Sequence, residues 1–136
     1  MTAQLQIRTR RQAEGTCQEE TLTAAGVYRQ TPRGWQVTYP EGEGVTVVLA
    51  AAPGEVTVTR RGAARSRLVF RPGERYEGLY GTPYGAFDLA LTAHTVRYDL
   101  SPAGGRVELG YVLTLGGGDA DMEITVDIRT DQPKGI

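Results

Sequence analysis

The 136-residue chain carries 15 basic side chains (Lys plus Arg) against 16 acidic ones, for a net charge of −1 with its one histidine neutral, and 40% of it is apolar. Near-balanced charge argues against a nucleic-acid partner, no apolar run reaches the roughly 20 residues that would give a membrane span, and a single cysteine leaves no intrachain disulfide. The length suits one domain over residues 1–136, and Met1 leads into Thr2, Ala3 and Gln4 without a basic start or apolar leader, which predicts a cytoplasmic protein.

Gln4 to Arg10 alternates, with Leu5 and Ile7 on one face, and a longer, weaker strand runs from Thr16 to Arg29. Gly15 and Gly26 punctuate this hairpin. After the Thr31-Pro32-Arg33-Gly34 turn, Trp35, Val37 and Tyr39 mark a strand; Pro40 through Gly44 turns the chain, and Val45, Val47 and Leu49 line the next inward face. Pro53-Gly54 leads to Val56 and Val58. Arg61-Gly62-Ala63 then returns the chain so that Ala64, Ser66, Leu68 and Phe70 face the same side.

Beyond the Pro72-Gly73 turn, Arg75 to Tyr80 is short and ends near Thr82-Pro83-Tyr84-Gly85. A long strand follows to Leu100. Its inward set changes parity, from Phe87, Leu89, Leu91 and Ala93 to Val96, Tyr98 and Leu100, which predicts a β-bulge between Ala93 and Thr95. Ser101 to Gly105 makes a turn. Val107, Leu109, Tyr111, Leu113 and Leu115 then face in, and after Gly116-Gly117-Gly118 so do Met122, Ile124, Val126 and Ile128. Eight to ten consecutive antiparallel strands in a small chain must close or stack; the meander order and the bulge favour a single closed barrel over a sandwich. The fold expected is all-β.

Arg60, Gly62 and Ala63 at the hairpin, then Phe70, Gly73, Tyr80, Thr82, Gly85, Leu89 and Thr92, and later Gly105, Tyr111, Met122 and Ile124, resemble the YwiB-like family of small bacterial proteins. The opening strand, Thr23 to Tyr28 and Tyr39 match in register as well. The resemblance implies a lipocalin-like (calycin-like) barrel of about ten strands and brings no activity with it, because that shape hosts carriers and enzymes alike.

Candidate chemistry is sparse. His94 is the sole histidine, so no multi-histidine metal centre forms, and a nucleophilic pair would need Cys17 and His94 to meet across the sheet. Thr16, Gln18 and Glu19 give Cys17 no adjacent cation. Ser66 lies in a hairpin strand and Ser101 in a turn. Asp121, Glu123 and Asp127 share a strand face that reads as solvated. No catalytic residue, metal or cofactor is expected, and enzymatic activity is the lesser alternative.

Arginine carries the remaining pattern. Arg60, Arg61, Arg65, Arg67, Arg71 and Arg75 fall close together with Glu74 as the only acid among them. Arg61, Arg65 and Arg67 predict an outward basic patch for a protein partner. Arg60 continues the inward register of Val56 and Val58 and sits at the rim, where its fork suits an anionic head group while Tyr39, Tyr80, Tyr98 and Tyr111, with Tyr28, supply amphipathic walls. The alternative is that Arg60 caps the barrel end on turn carbonyls or an acidic neighbour.

Whether the lumen is open is undecided by residue size, since bulky inward side chains fill space while Gly78 and Gly110 leave wall positions empty. Two functions therefore compete: a barrel that binds an amphipathic anion, and a packed barrel that works through its outer surface. A homodimer is expected only from the frequency of twofold assemblies.

Overall fold

Alternation becomes ten antiparallel strands in the computed structural model, which describes residues 1–42 and 44–130. They are β1 (Thr2–Ala13), β2 (Thr16–Thr31), β3 (Gly34–Pro40), β4 (Val45–Ala52), β5 (Glu55–Gly62), β6 (Ser66–Phe70), β7 (Arg75–Thr82), β8 (Gly85–Ser101), β9 (Gly104–Leu115) and β10 (Gly118–Thr130). Of the expected Pro40 to Gly44 turn, Glu43 lies outside the described residues. Among the described residues no helix is long and apolar enough to cross a membrane.

Each strand pairs with its chain neighbours except β6 with β7, and β1 pairs with β10, so the order round the wall is β6-β5-β4-β3-β2-β1-β10-β9-β8-β7. The two ends of that order, β6 and β7, meet through one isolated bridge, Arg65↔Gly81. The result is a nearly closed ten-stranded barrel. Short hairpin connections suit this meander: Glu14 and Gly15, both at positive φ (51° and 75°), form the two-residue turn whose twist matches antiparallel strands.

Buried side chains from nine strands, among them Leu5, Tyr28, Val37, Leu49, Phe70 and Val107, form one continuous core, with Tyr76 and Tyr80 of β7 packed against it. The bulge falls at Ala93/Thr95, where the parity change placed it. Gly104 and Gly105 belong to the start of β9 rather than to the turn; a Cβ on Gly105 would fall on the Asp99 carbonyl oxygen, so close pairing there needs glycine. Neither Gly78 nor Gly110 leaves a gap. The Tyr76 ring lies 3.1 Å from where a Gly78 Cβ would stand, and the His94 ring covers outward-facing Gly110.

One end of the barrel is plugged. Tyr28 on β2 stacks on Trp35, with ring centroids 5.0 Å apart, and its hydroxyl donates to the Ser101 carbonyl on β8 at 2.8 Å. Three strands, β1, β10 and β9, lie between these two along the wall, so that bond is a shortcut through the interior. The other end, carrying the β1–β2, β3–β4, β5–β6, β7–β8 and β9–β10 turns, differs because the strands are unequal. β8 has 17 residues and β2 has 16, against 5 in β6 and 7 in β3, so one side of the wall extends past the other.

Candidate binding mouth

Arg60 continues inward from Val56 and Val58, and its neighbours across the sheet are Val47 and Ser66. Tyr39 pairs with Val47, the Arg65↔Gly81 bridge brings Tyr80 level with Ser66, and Tyr80 pairs with Phe87. Tyr39, Val47, Arg60, Ser66, Tyr80 and Phe87 therefore form one inward row across six strands. Tyr111 of β9 meets Phe70, four residues from Ser66 on β6, edge-on at 4.8 Å, and is tied to this row through its electrostatic interaction with Arg60.

The Arg60 fork is already occupied. Its Nε donates to Glu41 Oε1 at 2.8 Å and its Nη2 to Glu41 Oε2 at 3.1 Å, and the Glu41 backbone N–H is fixed by the Val45 carbonyl at 2.9 Å. Side-chain exposure is 21% for Arg60 and 33% for Glu41, which marks the pair as partly desolvated. Burial opposes the Arg60 charge, but the hydrogen bond and charge of Glu41, aided by Tyr39 and Tyr111, hold its pKa above the usual value. Burial pushes Tyr39 and Tyr111 up to about 12, with the Arg60 charge acting in the opposite sense. Of the two expectations for Arg60, the cap on an acidic neighbour describes its contacts.

Tyr98 stands apart. It pairs with Val107, four residues along β9 from Tyr111, a separation of about 13 Å along the strand. The mouth thus joins Arg60, Tyr39, Tyr80 and Tyr111, with Glu41 added and Tyr98 left out.

Around this polar floor the wall is apolar and unfinished. Phe87 is 48% exposed and Leu115 37% exposed, although both occupy inward positions, because the long strands outrun the short ones opposite. Leu113 and Met122 are partly covered below them, and Met122 pairs directly with Tyr111, linking apolar wall to polar floor. The expected inward placement of Phe87 and Leu115 is correct in direction and wrong in depth. No polar side-chain atom among the described residues is buried without a hydrogen-bond partner, so the sealed core presents no orphan group and the half-covered chemistry is at this mouth.

The outer surface accounts for most other candidates. Asp127 pairs with Arg106 at 2.7 Å and Arg8 at 3.5 Å, and Arg10 lies between Glu19 and Glu123 at 3.9 Å each. Cys17 is exposed, and the absence of a nearby cation is corrected by the fold: Arg10 Nε donates to its Sγ at 3.3 Å from the neighbouring strand. His94 bonds Thr95 at 3.0 Å and stands on β8, four strands from Cys17 on β2, or about 19 Å by strand spacing. They make no nucleophilic pair. No group of three or more metal-ligating side chains occurs among the described residues. Arg61, Arg65 and Arg67 are exposed beside the β6–β7 junction.

Residues 5–126 match the model of a family described as a domain of unknown function, DUF1934. The structure resembles the crystal structure of the ywiB protein from Bacillus subtilis, with a TM-score of 0.84 and 22% sequence identity over 95% of this chain and 92% of that one. No curated protein matches.

Proposed function

Because the chain belongs to the DUF1934 family, whose description carries no activity, we propose from geometry alone that it binds an amphipathic small molecule at this mouth. The apolar part lies against Phe87, Leu115 and Met122, and an anionic head group accepts hydrogen bonds from Arg60 N–H groups that Glu41 leaves free. One observation carries the proposal: half-exposed Phe87 lies on the same inward row as a partly buried ion pair, three strands along the wall from Arg60, with half-exposed Leu115 on the strand after it. Apolar surface left concave and uncovered is what a ligand site requires. Glu41 brings the net charge of the floor near zero, so apolar contact supplies most of the affinity.

The role is binding without bond-making, supported by the separation of His94 from Cys17. We read the barrel as calycin-like in shape and its setting as cytoplasmic, the latter supported by the single cysteine. Dodecanoate is a suitable probe. Native mass spectrometry is expected to retain it on the wild-type protein, and thermal shift is expected to rise with its concentration. Phe87→Ser with Leu115→Ser abolishes both effects, and Arg60→Gln weakens binding roughly tenfold, the loss of one charge-assisted contact. Absence of binding, or binding indifferent to all three substitutions, overturns the proposal.

A further inference from the structure

The junction of β6 and β7 is an unzipped seam. At its one bridge, Arg65 N donates to Gly81 O at 2.9 Å and Gly81 N to Arg65 O at 2.7 Å; no ladder continues beyond it. Antiparallel strands direct the peptide groups of alternate residues to opposite neighbours. With Arg65 turned toward β7, Arg67 and Val69 on β6 also present their N–H and C=O groups to the seam. With Gly81 turned toward β6, Leu79 and Glu77 do the same from β7. The paired registers with β5 and β8 leave those groups free for another partner.

Charge distinguishes this edge. Arg60 has Glu41, Arg71 has Glu55 at 2.6 Å, and Arg75 has Glu77 at 3.4 Å. Arg61, Arg65 and Arg67 have no ion-pair partner among the described residues. Arg65, immediately before β6, and Arg67 on β6 are two residues apart on the same outward face, and Arg61 is outward on adjacent β5. A second copy added edge to edge on β6 would place arginine against arginine, which repels.

We propose that the β6 edge is a docking site for an extended acidic segment of a protein partner, added as a strand. Its peptide groups pair with Arg67 and Val69, and acidic side chains at alternating positions face Arg65 and Arg67. Main-chain pairing holds such a segment while the alternating side chains select it. Entry separates β7 from β6 by one strand spacing, which is opposed by the two hydrogen bonds of the single bridge and by the packing of Tyr76 and Tyr80 against the core.

The test uses a fluorescent peptide of about eight residues alternating glutamate and valine, with a lysine-for-glutamate version and a version carrying proline at a pairing position. Fluorescence anisotropy is expected to show binding of the acidic peptide alone, weakened at least roughly tenfold by Arg65→Glu with Arg67→Glu, the loss of two charge contacts. Both substitutions are on exposed side chains, and an unchanged melting curve confirms their fold. Amide hydrogen exchange is expected to slow at Arg67, Val69, Glu77 or Leu79 when peptide is present. No binding, equal binding of the proline version, or exchange unchanged at the seam overturns the proposal. So does a concentration-dependent dimer abolished by the same two substitutions, since a second copy would then own the edge.

Discussion

Arg60 shows how a charged residue is tolerated inside a barrel rim. Glu41 satisfies its fork from a turn, and removing that partner leaves a partly desolvated guanidinium uncompensated. Glu41→Gln should therefore cost about 1–3 kcal/mol, below the cost for a sealed pair because both side chains touch solvent, whereas Arg60→Met, which keeps the packed stem and removes the charge, should cost less. Urea midpoints of the two variants decide the order. The tyrosines add a pH dependence. An unfolded phenol ionises near 10, while Tyr39 and Tyr111 hold their protons to about 12 in the fold; the unfolded chain loses protons first, so stability is complete below pH 10 and falls as pH rises toward about 12. Chemical denaturation across that window should show the loss, and Tyr39→Phe should reduce it. Sequence made Arg60 visible through its parity with Val56 and Val58. Glu41 was hidden, because a turn acid 19 positions away has no register to connect it.

At the scale of the strand, β8 combines two registers through one extra residue. Deleting His94 would turn Leu89, Leu91 and Ala93 toward solvent relative to Val96 and Tyr98, and circular dichroism should show no folded protein; His94→Ala should stay within about 0.5 kcal/mol of wild type. The His94 ring also covers Gly110, with its Cε1 at 2.6 Å from an added Cβ. Gly110→Ala should cost about 1 kcal/mol when His94 is present and less beside His94→Ala, where the Thr95 Cβ at 3.2 Å remains the tight contact, a coupling that a double-mutant cycle measures. The bulge was legible because parity is a property of one strand. The depth of Phe87 and Leu115 was not: register tells which way a side chain points, but only the lengths of the strands opposite tell whether anything covers it.

The whole barrel is asymmetric along its axis, plugged by Tyr28 and Trp35 at one end and left with an apolar lip at the other. Tyr28→Phe removes the bond to Ser101 and should cost about 1 kcal/mol while hastening amide exchange at the β8–β9 turn. Clean alternation in β9 and β10, together with consecutive hairpins, made the meander readable in advance. The near-closure by one bridge was not, since the contact of β6 with β7 depends on the accumulated twist of ten strands. The proposed binding site is the mouth, and methyl NMR during dodecanoate titration tests that directly. Resonances of Leu113, Leu115 and Met122 should shift while those of Val107, Leu109 and Val126 stay fixed; shifts confined to the latter three, or no shifts at all, would contradict it.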